Sequence, residues 1–522
     1  MAADTGSSFK DRPDGSAREA PVDLLIVGAG INGAGIARDA AGRGLSVVLC
    51  EKDDIAQGTS SRSGKLVHGG LRYLEYYEFR LVREALIERE VLLRLAPHII
   101  WPMRFVLPHD RAQRPVWLIR LGLLLYDHLG GRRRLPASRG LDLSRAPEGA
   151  PLKTDYARGF EYSDCWVDDA RLVILNAKSA AEHGARILPR TECVTARRSA
   201  GLWLVDLLDH RTGKTRQIHA RVLVNGAGPW VDGVLSRVTG QNTGKRVRLV
   251  KGSHIVVPKH YAGPQAYLLQ NPDRRVIFVN PYEQDYLLIG TTDIPYDGEP
   301  DAVAIEPDEI AYLCGVANRY FAKAIGPGDV VHAFSGIRPL YDDATENPSA
   351  VTRDYVFDID GSIGEAPLLS IFGGKITTYR KLAEHALERL RPFLPGLRAP
   401  WTANEPLPGG DMADADFDRF LAAFRAAHAW LPPDLARHYA RLYGTRAARV
   451  VGDARRLADL GRGLGDRLYE AEIRYLVDEE WAVTAEDILW RRTKHGLHLP
   501  AEAGSILEAW LGRAAVEPML RA

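Results

Sequence analysis

The chain is 522 residues long, and 68 lysines and arginines meet 67 aspartates and glutamates, a net charge of +1. That balance excludes a protein whose whole surface is a nucleic-acid footprint, normally strongly basic, and no apolar run reaches the ~18 residues that span a bilayer. A 46% hydrophobic content can fill sizeable cores, and the length suggests two or three domains at roughly 150 residues each.

Residues 1–20 are polar, lack the apolar stretch of a signal peptide, and are expected to be a disordered extension. Residues 22–27 read as a buried parallel strand, followed by glycines and a helix to 43, then a second buried strand over 45–50 ended by Glu51. A helix is expected over 79–95, stopped by Pro97. Strands follow over 202–207 and 220–224, and 276–279 with 286–289 form a hairpin across Asn-Pro-Tyr-Glu-Gln-Asp. A linker rich in proline and glycine covers roughly 395–410. Beyond it Phe417, Phe420, Leu421 and Phe424 take helical spacing and share one face. Cys50, Cys165, Cys193 and Cys314 are scattered without a C-x-x-C pair. Neither a disulfide framework nor a metal site is expected, which fits a reducing compartment.

The first β-α-β unit carries G-x-G-x-x-G at 28–33. Gly28 permits the tight turn, Gly30 lets backbone approach a pyrophosphate, and Gly33 lets helix and strand pack closely. The helix N-terminus then offers amides and partial positive charge to phosphates. Glu51 can accept from the adenosine ribose hydroxyls, which disfavours the 2′-phosphate of NADP. The fingerprint alone does not choose between NAD and FAD. Further glycine and hydroxyl segments do: Thr59, Ser60, Ser61 and Lys65, then His68-Gly69-Gly70, later Gly226-Ala227-Gly228-Pro229-Trp230, and Gly373-Gly374-Lys375 before Thr377. Their returns to one fold imply a large threaded dinucleotide.

Six segments carry a resemblance: 28–37 (GAGINGAGIA), 65–75 (KLVHGGLRYLE), 160–171 (FEYSDCWVDDAR), 251–258 (KGSHIVVP), 289–293 (IGTTD) and 372–381 (FGGKITTYRK). Together, in this order, they resemble the FAD-dependent glycerol-3-phosphate dehydrogenase family over about residues 22–390. The glycine-oxidase-like amine oxidoreductases share only the first. The N-terminal extension and the Gly226-Ala227-Gly228 sequence depart from the family pattern, and neither puts the expected FAD site in doubt.

The resemblance implies an α/β fold with three parts. A Rossmann-like FAD-binding domain is expected from 21–75, 155–250 and 330–394. A mixed β-sheet domain facing substrate and membrane is inserted from 76–154 and 251–329. An all-helical C-terminal domain covers 395–522. It also implies oxidation of sn-glycerol 3-phosphate to dihydroxyacetone phosphate, with electrons passed from FAD to a membrane quinone. A soluble oxidase using dioxygen and a non-catalytic flavin-binding protein are the competing readings. The cofactor set carried by the motifs is Gly28, Gly30, Asn32, Gly33, Glu51, Thr59, Ser60, Ser61, Lys65, Leu66, His68, Gly69, Gly70, Gly226, Gly228, Trp230, Gly373, Gly374, Lys375 and Thr377.

A phosphate monoester calls for fixed cations, ideally planar arginine forks. Arg338, Arg353 and Lys375 are the matched candidates, with Arg72 and Tyr73 beside the flavin segment. Loss of the hydroxyl proton needs a base, and His254 at the head of a strand is the first candidate. Arg338 or Lys375 could instead steady the alkoxide, so the roles of the three stay open. Residues 111–139 hold seven arginines against one aspartate, beside an apolar stretch with Trp117 that is too short to span. This suits a segment lying on an anionic membrane, and places the protein peripherally at the cytoplasmic face of the inner membrane. A homodimer is entertained, with the oligomeric state left open.

Overall fold

The computed structural model describes residues 20–110, 113–131, 134–240, 245–273, 275–342 and 354–521. The expected N-terminal extension, Arg111, Arg132, Arg133 and Arg353 lie outside the described residues, apart from Ala20.

Two sheets organise the chain. The first runs in the order Val356–Asp360, Leu368–Phe372, Thr215–Asn225, Val22–Val27, Val47–Cys50, Arg186–Leu188. Its centre is parallel, which explains the unbroken apolar runs: a strand covered on both faces has no polar side to show. The helices Ile31–Gly42, Asp169–Glu182 and Tyr379–Leu390 pack together over one face and share a core that includes Ala34, Leu172 and Leu382. Gly35 brings two of them close, since a Cβ there would lie 2.7 Å from the Tyr379 ring.

The second sheet has ten strands. Ile100–His109 pairs with Arg158–Val167, and Val247–Pro258 lies between Tyr286–Gly290 and His332–Tyr341. The sheet is mixed, with Ala266–Gln270 parallel to Ile100–His109. Arg158–Val167, His332–Tyr341 and the short Leu66–Val67, all expected in the nucleotide-binding domain, pair within this second sheet instead. Strand period and burial are the same in either sheet, so only pairing decides membership.

The helix Phe79–Leu95 and the hairpin Val276–Tyr282/Tyr286–Gly290 form where the sequence pattern put them. The C-terminal region is helical with one exception, a two-stranded ribbon of Gly463–Gly465 and Leu468–Tyr469. Gly461, Gly463 and Gly465 interrupt helical propensity there, and Gly461 and Gly465 take positive φ. Phe417, Leu421 and Phe424 are buried as the helical face requires. Buried ion pairs fasten this region to the first sheet's domain: Arg171 with Glu480 (2.9 Å), Arg492 with Asp54 (2.8 Å) and Lys494 with Asp168 (3.3 Å).

Candidate active site

The glycine turn is built by contact. Gly28 has φ +99°, and its Cβ would lie 2.9 Å from the Gly226 carbonyl oxygen; a Cβ on Gly33 would lie 1.9 Å from that of Gly28. At the start of the helix the Ile31 amide donates to the Ser60 hydroxyl (3.0 Å), which brings the second expected segment to the phosphate-binding helix terminus. Asn32 donates to the Gly373 carbonyl (3.2 Å) while its own Oδ1, buried, has no hydrogen-bond partner. A buried acceptor left unmade beside this cradle fits a bound group that donates to it.

Glu51 accepts from the amides of Ala29 (2.8 Å) and Asp53 (3.0 Å), and burial raises its carboxyl to about 7. Each oxygen keeps a second lone pair for a ribose hydroxyl. Trp230 stands further along, its ring 4.9 Å from the Lys52 ammonium and its indole donating to Asp301 (3.1 Å). A Cβ on Gly58 would touch that ring at 3.1 Å, so the loop before Thr59 runs against it. Ile31, Thr59, Ser60, Leu66, His68, Gly70, Gly374 and Thr377 line a cleft of about 1270 Å3. This exceeds the usual ~300–1,000 Å3 of a drug-sized site and suits a dinucleotide plus substrate. Thr377 ties the flavin segments together, its hydroxyl accepting from the His68 amide (3.3 Å).

Three of the expected cofactor residues have side-chain positions engaged within the protein. Lys65 is buried beneath the loop, its ammonium 2.8 Å from both the Asp169 carboxylate and the Ser61 carbonyl, and it does not line the cleft. Gly69 is a packing residue: its Cβ would strike Leu86 at 2.4 Å and the Tyr126 hydroxyl at 2.7 Å. Ser61 Oγ turns back to the Gly58 carbonyl (3.5 Å).

The same cleft is also lined by His254, Arg338, Lys375, Arg72 and Tyr73. Arg338 forks onto the Asp293 carboxylate, the Thr291 hydroxyl (3.2 Å) and the Thr292 carbonyl (3.2 Å). The His254 ring stacks on Phe334 (5.0 Å) across one strand. On the other it lies over Gly290, where a Cβ would fall 2.1 Å from its Cδ2. Its Nδ1 is buried with no hydrogen-bond partner. Burial, then the charges of Lys65 and Arg338, push the imidazole down to about 3 rather than toward neutrality, so the ring is neutral and able to accept a proton. The Lys375 ammonium lies 3.6 Å from the Tyr73 ring centroid, a cation–π contact that binds two expected substrate residues to each other.

The residue reading missed Asp293, Thr291, Gly290 and Asn280. All four line the cleft, and Asn280 donates to the Gly64 carbonyl (3.1 Å) with its Oδ1 buried and unpartnered. The first three lie inside the 289–293 motif, so a signal was present there without a role attached, whereas Asn280 lies within the strand Val276–Tyr282, opposite Leu288.

The basic segment forms the helix Val116–Leu129 with an exposed apolar face. Trp117 is 66% exposed and Leu124 54%, and Tyr77 of the neighbouring turn 79%. Leu121, Leu125, Tyr77 and Phe79, also exposed, line the mouth of the cleft. Among the described residues no helix is long and apolar enough to cross a membrane.

A parallel sheet with a glycine-turn cradle, joined to a mixed sheet that closes a cleft over it, defines a dinucleotide-dependent oxidoreductase. Residues 23–380 match the FAD dependent oxidoreductase family, and residues 400–515 match the C-terminal domain of alpha-glycerophosphate oxidase. The chain belongs to the FAD-dependent oxidoreductases, and its cofactor is FAD. It is 61% identical to D-erythritol 1-phosphate dehydrogenase of Brucella abortus over 94% of this chain and 98% of that one. It is 53% identical to aerobic glycerol-3-phosphate dehydrogenase of Escherichia coli over 94% and 97%. The glycerol-3-phosphate dehydrogenase from Bacillus halodurans, solved in complex with FAD, superposes with a TM-score of 0.76 at 29% identity, covering 96% of this chain and 91% of its own.

Proposed function

We propose that the protein oxidises sn-glycerol 3-phosphate to dihydroxyacetone phosphate and passes the electrons to a quinone at the cytoplasmic face of the inner membrane. The observation that carries this reading is one cleft joining the glycine-lined cofactor segments to His254, Arg338 and Lys375. FAD, when bound, supplies the hydride acceptor at flavin N5. Arg338 and Lys375 bind the substrate through its charge, and Asp293, Thr291 and Thr292 hold the Arg338 fork in one orientation. His254 takes the hydroxyl proton at Nε2, the ring nitrogen that is not enclosed by protein. A phosphate dianion beside Arg338 offsets part of the cationic field that depresses the ring and strengthens it as a base. The exposed face of Val116–Leu129, with Arg114 and Arg120 exposed on it, suits docking on an anionic bilayer with the cleft mouth toward a lipid-soluble acceptor.

A second reading rests on the 61% identical relative, which is named for D-erythritol 1-phosphate. That substrate shares the CHOH–CH2–O–phosphate unit with glycerol 3-phosphate and extends it by one CHOH, so the same base and clamp serve both. Anaerobic flavin reduction distinguishes the readings. Glycerol 3-phosphate is expected to bleach the flavin at lower concentration than D-erythritol 1-phosphate, with unphosphorylated glycerol inert. The reverse preference hands the site to the tetritol phosphate, and bleaching by glycerol alone overturns the phosphate clamp. Reoxidation is expected to be faster with a quinone analogue than with dioxygen; the opposite order makes the protein an oxidase.

A further inference from the structure

We propose that His438, Glu472 and His495 bind a divalent metal ion of the zinc class in the helical C-terminal region, far in sequence from every residue of the flavin cleft. Cysteine spacing gave no reason to expect a metal, because the three ligands are not cysteines and come from three separate segments. His438 lies on the helix Pro433–Tyr443, Glu472 on the helix Glu470–Glu480, and His495 on the turn His495–Leu497.

The fold aims their donor atoms at one point. His438 Nε2 lies 2.8 Å from Glu472 Oε1 and 3.2 Å from His495 Nε2, and His495 Nε2 lies 3.8 Å from Glu472 Oε2. Two ligand atoms held about 2.0–2.1 Å from a tetrahedral ion stand about 3.3–3.4 Å apart, so the imidazole pair already has the spacing of a ligand pair. Hydrogen bonding leaves one group of this arrangement unsatisfied. The two Nε2 atoms face each other at a distance where one ring can donate to the other. Glu472 Oε2 is fully enclosed and has no hydrogen-bond partner. A cation between the three would engage that oxygen, with both rings presenting lone pairs and the carboxylate presenting charge.

The surroundings are those that orient metal ligands. His495 Nδ1 lies 3.0 Å from the Asp466 carboxylate, the carboxylate–histidine arrangement that fixes the tautomer and strengthens the ring as a ligand. The Tyr443 hydroxyl donates to Glu472 Oε1 (2.6 Å), steadying the third ligand. Asp466 sits at the turn of the Gly463–Gly465/Leu468–Tyr469 ribbon, which gives that break in the helical region a task. The side chains of His438, Glu472 and His495 are 11%, 0% and 2% exposed, so the ligands are enclosed, and three protein ligands leave the fourth tetrahedral position to a water. Such an ion would pin the segment 493–498, which reaches the second sheet: the Tyr286 hydroxyl donates to the Leu497 carbonyl (2.8 Å), and Trp490 just before it stacks on His332 at 4.1 Å.

The test uses the full-length holoenzyme, stripped with a chelator, dialysed against Zn2+ and then against buffer, with metal content and Tm measured. The wild type is expected to retain about one zinc per chain and to gain several degrees in Tm. Glu472→Gln and His438→Gln are expected to lose both, with FAD content unchanged. Equal zinc retention in wild type and variants, or none in either, overturns the proposal and leaves a hydrogen-bonded His–Glu–His cluster. Should the variants fail to fold, zinc K-edge absorption on the wild type decides instead. A first shell containing imidazole supports the site, and one of oxygen alone or containing sulfur overturns it.

Discussion

The cofactor cradle and the substrate side chains of the cleft are made of different material. The cradle is made mostly of backbone. Gly28, Gly33, Gly226 and Gly373–Gly374 matter for what they lack, and each would press a side chain onto a neighbour at 3.0 Å or less, except Gly226 at 3.4 Å. The substrate site is made of side chains, Arg338, His254 and Lys375, carried by strands and loops that meet only through sheet pairing. A backbone site tolerates no added atom, whereas a side-chain site tolerates a changed atom and loses only that atom's chemistry. Gly33→Ala therefore carries the largest expected effect. Its Cβ, 1.9 Å from the Gly28 carbonyl oxygen, cannot be relieved by a side-chain rotation. The purified variant is expected to lose nearly all flavin absorbance; full occupancy would break the comparison.

The substrate site should fail by degrees and keep its flavin. His254→Ala is expected to slow anaerobic flavin reduction at saturating substrate by about 10²–10⁴-fold, the range for a lost general base. An unchanged rate removes His254 from that role. Arg338→Ala removes a charge-assisted contact worth about 1.5–3 kcal/mol, a loss of roughly ten- to 150-fold in kcat/KM. That loss should fall mainly on KM, and a pure kcat effect would move Arg338 from binding the phosphate to steadying the alkoxide.

This difference in material also decided what the sequence disclosed. A glycine turn is local: Gly28, Gly30 and Gly33 lie within six residues, and strand, turn and helix follow in order, so spacing alone gives the geometry. The helix Phe79–Leu95 and the 276–290 hairpin are local in the same sense. The substrate site required long-range pairing. His254 faces Gly290 and Phe334, 36 and 80 residues away in sequence, and Arg338 finds Asp293 only because His332–Tyr341 joins the second sheet. Candidates could be named from motif matches, but not the Asp293 partner or the void at Gly290. Inside one cofactor-like segment, Gly69 packs against Leu86 and Lys65 pairs with Asp169, contacts that spacing cannot foresee.

Protonation sets the two sites against each other most finely. Burial raises Glu51 at the cofactor cradle to about 7, so its contribution is present below its unfolded value near 4.5 and is lost as pH rises through 7. Burial depresses His254 at the substrate site to about 3, below its unfolded 6.5. Between those values the unfolded chain binds the proton and the folded one does not. The stability this represents is whole above pH 6.5 and is lost as pH falls toward 3, at up to about 1.4 kcal/mol per pH unit. His98, fully buried and likewise pushed to about 3 by burial and by Arg171 and Arg441, adds a loss of the same sign. The Tm of the holoenzyme is therefore expected to fall on acidification from pH 6.5, and His254→Gln is expected to flatten that fall by removing one of the two protons. A slope unchanged in His254→Gln would mean that the ring is protonated in the folded protein. It would then serve as a cation beside the phosphate, and the base would have to be sought elsewhere in the cleft.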